Sequence, residues 1–472
     1  MPRRVGLGDM AMRPRARSIA ALLLLCSAAG GAAAAAPAAH GSERPPAHAA
    51  GHPAEVVPQR VYTMALYQGN GENVFVPATF MAANYDWTEQ AANATGAQYA
   101  ASFHAAGGAH AVLYTVPNAR ECSSGSGKPG TCTDIVSPEI DALRGAAWLH
   151  RAGDPKRRAY AKGFQRNNPL DPLFRAAWID SIANFLTDGG GSSAWSPAEG
   201  GAVELDTMNW VNLTTFTGAW GPFAEITSDA QVLAAQEAVV GYTPARTLLD
   251  GVNYDYPLGG AYDALLSAVG ENVAGVINRE AFATDYAHGA AHDGYLTERS
   301  PIPNAWQNQE NAILDVIGRG KTDIVWMLGG AGPQHRLYGV ASFWLSYDPH
   351  RSVLWEDFCA RESGGCDSTW PDAGVVPTRP LQSATTDISA LRSGNLYVRE
   401  FAACYQNGKP IGGCAAIVNP TLAAQPFPAL QQQYAMSVVL PAATLYAGGT
   451  VGWQALVTAP VAPRSAIILS NA

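Results

Sequence analysis

The chain has 472 residues, a formal charge of -9 and 15% charged residues. An acidic balance of this kind disfavours nucleic acid and anionic membranes as partners, because like charges repel. The length accommodates one large domain and one small one.

The N-terminus carries the first signal. Arg13, Arg15 and Arg17 precede an apolar run, Ile19 to Leu25, which passes into the small residues Ser27 to Ala36. A basic stretch, a short greasy core and an Ala-rich exit read as a secretory signal peptide over residues 1–36. The core is shorter than the about 20 residues that a membrane span requires. Residues 37–58, rich in Pro, Ala and His without periodicity, read as a flexible linker. The expected location is secreted or periplasmic, with no membrane association beyond the signal. The cysteines agree with export. Apart from Cys26, six remain, in the near pairs Cys122/Cys132, Cys359/Cys366 and Cys404/Cys414. An even set of neighbours in an exported chain is expected to form local disulfides. Metal binding competes, but no C-x-x-C or H-E-x-x-H occurs, and no metal is expected.

From Val61 onward, strand-like and helix-like segments alternate. Val61 to Tyr67 is β-prone, and a second strand end is expected at Ala82 to Asp86. Thr88 to Ala106 has helical spacing, and His110 to Val116 reads as a strand. Residues 119–160 read as an irregular insertion on a βα loop. Asp171-Pro172 opens a helix, Leu173 to Leu186. Further strands are expected at Gly200 to Met208, Arg246 to Val252, Val273 to Phe282, Thr322 to Leu328 and Ser352 to Phe358. Helices are expected between them at Asp229 to Val240, Ala261 to Val269, Gln307 to Gly318 and Tyr338 to Tyr347. Near eight strands alternating with helices predict an α/β fold, a (β/α)8 TIM barrel over residues 59–366. A doubly wound open sheet is the alternative, but no G-x-G-x-x-G follows the first strand. Residues 367–472 change texture. Leu396 to Cys404, Cys414 to Val418, Ala435 to Leu440 and Ala466 to Leu469 are short strands split by Gly and Pro, which predicts a small antiparallel β domain.

In a parallel barrel, chemistry sits at the C-terminal ends of the strands. Glu204 and Asp206 end the fourth strand on one face, with Asp206 nearer the rim and Glu204 as inward support. Asp250 and Asp255 flank the end of the fifth, and Arg279 and Glu280 end the sixth. Asp86 is expected to end the second, and Glu356 and Asp357 the eighth. Glycosidic cleavage generally needs two carboxyl groups: one protonates the leaving oxygen, the other attacks carbon or activates water. Asp206 as nucleophile or base and Glu280 as acid are the expected catalytic pair. Asp86, Asp250, Asp255 and Arg279 are expected to contact substrate. Among the twelve Trp, Trp210, Trp220, Trp306 and Trp355 are expected near the rim, where flat rings stack on sugars. Trp210 and Trp306 are the substrate-binding candidates. Trp178, Trp326 and Trp344 are expected in the core. His288 and His292 have helical spacing but stand in a Gly/Ala-rich stretch that is poorly helical. There is no G-x-S-x-G for a nucleophilic serine.

Several segments resemble a known family. GGAVELDTMNW, VAGVINREAF, DIVWMLGG followed by YGVASFWLSYDPHRSVLWEDF, and YVREFAACYQNGKPIGGCAAIVNP are similar to hypothetical glycosyl hydrolases of TIM-barrel type, in particular glycoside-hydrolase-like family 15. Such proteins look like distant relatives of retaining α-galactosidase-type barrels. The tail match comprises Tyr397, Arg399, Phe401, Asn407, Gly408, Val418, Asn419 and Pro420, and Pro463 to Leu469 fits the last strand of that family's β domain. The resemblance implies a hydrolase whose acidic strand ends fall on Asp206 and Glu280. The insertions at 119–160 and 211–245 depart from it. The expected function is therefore hydrolysis of a poly- or oligosaccharide, with a carbohydrate substrate as partner and no cofactor. A barrel that binds carbohydrate without cleaving it is the alternative, and other hydrolase or lyase chemistry on the same fold is a third.

Overall fold

Eight parallel strands close on themselves in the computed structural model. It describes residues 61–67, 76–91, 94–117, 119–122, 132–133, 148–158, 160–161, 164–187, 201–206, 208, 222–250, 263, 265–266, 272–279, 305–330, 332–359, 366–367, 369–382 and 386–471. Val56–Ala472 form one compact unit. The expected signal peptide and linker lie outside the described residues.

The barrel strands are β1 (Thr63–Tyr67), β2 (Trp87–Ala91), β3 (His110–Thr115), β4 (Ala202–Leu205), β5 (Thr247–Asp250), β6 (Val273–Arg279), β7 (Thr322–Gly330) and β8 (Ser352–Cys359). Each pairs in parallel with the next, and β8 pairs with β1. Extended from Met64 by way of β2 and β3, the register reaches β4 at position 200. Extended the other way, by β8, β7, β6 and β5, it reaches β4 at position 208. The difference of eight is the shear of a (β/α)8 barrel.

That shear sorts the inward side chains into layers drawn from alternate strands. Trp87, Ala202 and Val353 lie lowest. Met64, Val112, Leu248 and Ile324, all fully buried, make the next layer. Above them come Glu89, Glu204, Ile277 and Trp355, then Tyr114, Asp250 and Trp326. The rim layer holds Asp206 on β4 and Asp357 on β8. Trp326 and Trp355 stack with ring centres 4.0 Å apart and planes 4° from parallel. The outward residues Leu113, Val203, Leu205 and Leu249 pack on Phe174, Trp178, Val239 and Val240 of the surrounding helices.

Six helices accompany the strands among the described residues: α1 (Ala78–Asn84), α2 (Ala94–Ala105), α3 (Pro172–Thr187), α4 (Asp229–Tyr242), α5 (Ala305–Gly318) and α6 (Pro333–Ser346). Asp171 accepts the Leu173 N–H at 2.7 Å, which caps α3 just before its Pro start. Ser228 caps α4 by accepting the Gln231 N–H, while the Gln231 side chain accepts the Thr227 N–H at 2.8 Å. No helix of the described residues is long and apolar enough to cross a membrane.

The C-terminal sheet is antiparallel. Its main strands are β9 (Val375–Pro380), β10 (Leu396–Gln406), β11 (Cys414–Asn419), β12 (Met436–Val439), β13 (Gly452–Ala455) and β14 (Ser465–Ser470), in spatial order β9-β10-β11-β14-β12-β13. α6 lies between this sheet and the barrel, so every residue from His335 to Ser346 is buried. Gly339 lets α6 approach β7: a Cβ there would collide with the Met327 sulfur. Asn407 and Gly408, both with positive φ, turn β10 back so that Gln406 pairs with Lys409.

Three expectations are corrected. Ala78–Asn84 is helical, and β2 begins only at Trp87 and runs through Ala91, into the segment from Thr88 that reads as helix. The insertion after β3 is not irregular: Ala119–Cys122, Cys132–Thr133, Tyr160–Ala161 and Phe164–Arg166 form one small antiparallel sheet, and His150–Arg151 pairs with Asp154–Arg158. The C-terminal sheet also gains β9 and β13. Cys404 and Cys414 are joined by a disulfide. The backbone register sets Cys122 opposite Cys132 and Cys359 opposite Cys366; those four side chains lie outside the described residues.

Candidate active site

Asp206 follows the last residue of β4, and its seat is built by β3. Its N–H donates to Thr115 O at 2.9 Å, so the ladder continues one residue past the strand. The Tyr114 hydroxyl donates to Asp206 Oδ2 at 2.6 Å. Thr115 Oγ1 donates to Glu204 O at 2.5 Å, and Met208 N–H donates to Asp250 O at 3.0 Å. The chain leaving β4 is thereby tied to β3 on one side and β5 on the other. A short hydrogen bond to a carboxylate fixes the orientation of its lone pairs as well as its position.

Beneath Asp206 lie further acids. Glu204 and Asp250 are fully buried, and Glu89 on β2 is nearly so. Asp357 shares the rim layer with Asp206, four strands away around an eight-strand barrel and hence on the opposite wall. The strand alternation separates it from Glu356, which points outward toward α6 and the C-terminal sheet. There, burial and the neighbouring Asp372 carboxyl push Glu356 well above the ordinary carboxyl range, against the pull of Arg336. Glu356 therefore does not belong to the mouth.

Other expected site residues fare differently. Asp86 precedes β2 rather than ending it. Its carbonyl accepts the His110 N–H and its N–H donates to Thr63 O, which places it at the N-terminal end of the barrel, away from the rim. Trp306 is not a rim aromatic either. It is 3% exposed at the start of α5, where its Nε1–H donates to Ser342 Oγ at 3.0 Å and its ring meets Tyr397 of β10. It is core between helices and the C-terminal sheet. Trp355 likewise lies inside the barrel, under the rim. Trp178, Trp326 and Trp344 are buried as expected. Asp250 ends β5 as expected, one layer below the rim. Glu280, Asp255, Trp210, Trp220, His288 and His292, and the side chain of Arg279, lie outside the described residues. Among the described residues, no group of His, Cys, Asp or Glu is arranged to hold a metal ion.

A hollow of about 130 Å3 opens at the N-terminal end of β1, where Thr63, Asn84, Tyr85, Trp370, Gln406 and Asn407 meet. Asn84 and Gln406 are committed within the fold. Asn84 donates to Phe80 O, while Gln406 donates to Val451 O and accepts from Trp453.

Fold and site together define a (β/α)8 barrel with carboxylates in its C-terminal mouth and an antiparallel sheet behind it. No family model matches the chain, and no curated protein matches it. Solved structures with related architecture include glycoside hydrolases. The glycoside hydrolase domain of PelA from Pseudomonas aeruginosa is 10% identical over 63% of this chain and 94% of that one, with a TM-score of 0.38. Isomaltulose synthase from Klebsiella sp. LX3 is 8% identical over 87% and 99%, with a TM-score of 0.43. A conserved exported protein from Bacteroides fragilis is 11% identical over 88% and 99%, with a TM-score of 0.36. No residue role is carried across at this level of likeness; the architecture rests on the closed sheet and its register.

Proposed function

We propose that this chain is an exported glycoside hydrolase that cleaves a poly- or oligosaccharide at the C-terminal mouth of its barrel. Asp206 acts as nucleophile or base, and Glu280, the residue after β6, acts as acid. The observation that carries this reading is the seat of Asp206: a rim carboxylate held by a phenol at 2.6 Å, above a floor closed by the Trp326–Trp355 stack. Such a carboxylate keeps one orientation while a sugar binds, which lowers the cost of reaching the transition state. The closed floor keeps bulk water from entering from below. Two carboxyl groups suffice for the chemistry, one giving a proton to the leaving oxygen and the other attacking carbon or activating water, so no metal or organic cofactor is required. Asp357, on the opposite wall, is suited to accept hydrogen bonds from sugar hydroxyls. Asp255, Arg279 and Trp210 remain the other proposed substrate contacts; Asp250, fully buried one layer below the rim, lies beneath the sugar.

The test is a panel of neutral and charged glycans incubated with the purified chain and read by new reducing ends. Asp206→Asn and Glu280→Gln are each expected to lower turnover by about a hundred- to ten-thousandfold. Wild-type turnover in Asp206→Asn would end the reading. Retained oligosaccharide affinity with no reducing ends from any glycan would favour the non-catalytic binder instead.

A further inference from the structure

The segment after β3 departs from the charge of the rest of the chain. Residues 119–166 hold nine Lys or Arg against five Asp or Glu, whereas the whole chain carries -9. One hairpin concentrates the excess. His150–Arg151 pairs with Asp154–Arg158 across a turn at Gly153, which has φ 80°. The returning strand reads Asp154, Pro155, Lys156, Arg157, Arg158. In the register, Asp154 lies opposite Arg151 and Arg158 lies opposite His150, so the facing strand brings no acid to the three successive cations.

The hairpin is fastened at the mouth, since it follows β3 at the C-terminal end of the barrel. Trp148, at its base, bridges to Asn167, whose Nδ2 donates to Pro117 O at 3.2 Å. Pro117 stands two residues, about 7 Å of chain at most, beyond Thr115, whose carbonyl accepts the Asp206 N–H. On the β4 side, the Ala224 N–H donates to His150 O at 2.9 Å and the Ala152 N–H donates to Pro222 O at 2.8 Å. Leu149, Phe223 and Ile226 form a buried cluster with Val232 and Ala235 of α4. Glu225 accepts the His150 N–H at 2.9 Å, and its other oxygen lies 2.6 Å from His150 Nδ1, so both its oxygens are engaged by His150.

We propose that this hairpin selects an acidic polysaccharide: Lys156, Arg157 and Arg158 receive its oxyanions, carboxylate or sulfate ester, where the polymer leaves the mouth past the β3–β4 wall. This substrate class presupposes the glycoside hydrolase reading of the mouth and gives its polymer a charge. Asp206 and Asp357 on the rim repel an anionic sugar, and a cationic strand set to one side offsets that repulsion and raises the rate of encounter. A guanidinium meets a carboxylate or sulfate with two parallel N–H bonds, which adds orientation to attraction. A neutral glycan would gain nothing from three adjacent cations. The docked base of the hairpin matters for the same reason: a strand already held in place loses little freedom when the polymer binds.

Binding is measured by calorimetric titration of the full chain carrying Asp206→Asn, so that cleavage does not intervene, at about 50 and about 200 mM salt. The probes are oligogalacturonate beside its carboxyl-reduced form and chondroitin sulfate oligosaccharide beside its desulfated form; the first pair reads carboxylate, the second sulfate. The charged member of at least one pair is expected to bind more tightly, and to weaken at the higher salt. Replacing Lys156, Arg157 and Arg158 together by Gln is expected to weaken it about three- to hundredfold and to leave its neutral counterpart unchanged. Should that variant not fold, Arg157→Gln alone carries the test, with an expected loss of about two- to fivefold. Equal affinity within both pairs, or undiminished binding in the folded variant, would overturn the proposal, even with a mouth that cleaves neutral glycans. Tighter binding of a single-stranded oligonucleotide of matched charge would overturn it in favour of a nucleic-acid surface. A preference for the charged probe that depends on these three residues, in a chain that releases no reducing ends, would uphold the hairpin's role and count against hydrolysis alone.

Discussion

Arg399 offers the sharpest test of how the sheet domain is held. It is 4% exposed on β10, and its Nη1 donates to the carbonyls of Trp344, Leu345 and Tyr347 at 3.2, 3.0 and 3.0 Å. These are the last carbonyls of α6, which a helix leaves without internal partners. They also form the negative end of the helix dipole, where a cation is favoured. Burial lowers the guanidinium to about 10, while Glu310 of α5 pulls the other way. Glu310 is itself pushed well above the ordinary carboxyl range by burial, with Ser346 and Arg399 pulling it down. Arg399→Ala would leave three carbonyls facing apolar surroundings and Glu310 without its cation. A hydrogen bond to a charged donor is worth about 1.5–3 kcal/mol, but one nitrogen shared among three acceptors does not give three full contributions. The expected total is therefore that of leaving the buried carbonyls without their charged donor, about 1.5–3 kcal/mol. Arg399→Lys is expected to recover part of it, since an ammonium reaches the carbonyls but loses the planar fork. Urea unfolding monitored by tryptophan fluorescence reads the change as a shift in midpoint at constant slope. A loss below about 1 kcal/mol would refute the reasoning, because it would mean that water satisfies the end of α6 as well as Arg399 does.

Two further outcomes follow from the sheet itself. Asn419→Ala removes Nδ2 bonds to the carbonyls of Ala423, Val461 and Ala462 at 2.9, 3.0 and 2.8 Å; a destabilisation of about 1–3 kcal/mol is expected in the same urea assay. Gly408→Ala places a side chain at φ 74° in the β10 turn; a loss of about 1 kcal/mol is expected by thermal unfolding, with activity unchanged.

The barrel was legible because its strands are separated by well-signalled helices. Asp171-Pro172 marks a helix start in the sequence and does so in the structure. The second strand was not legible, for a physical reason. Trp87–Ala91 reads TEQ at its centre, and Glu89 points into the barrel above an apolar layer, so the alternation that marks a half-buried strand is missing. Misplacing that strand put Asp86 at the wrong end of the barrel and hid Glu89. The parity of Glu356 and Asp357 was likewise hidden. Two adjacent acids at a strand end face opposite sides, and only the register tells which belongs to the mouth. Trp306 illustrates a tertiary override: it stands near a loop in sequence, but the C-terminal sheet covers it. In that sheet, Pro377 and Pro380 disguised β9 as a loop, consistent with proline being confined to edge strands. The tail residues Arg399, Asn407, Gly408 and Asn419 proved to be structural, serving as a helix-end cap, a hairpin turn and a loop tie.

A crystal structure of the Asp206→Asn chain with an oligosaccharide bound tests the central claim most directly. The anomeric carbon is expected about 3–3.5 Å from the position 206 side chain, or one bridging water away from it, with the sugar lying between the β4 and β8 walls above the tryptophan stack. A sugar seated only on the C-terminal sheet or in the hollow beside Thr63, with the mouth filled by packed side chains, would contradict it.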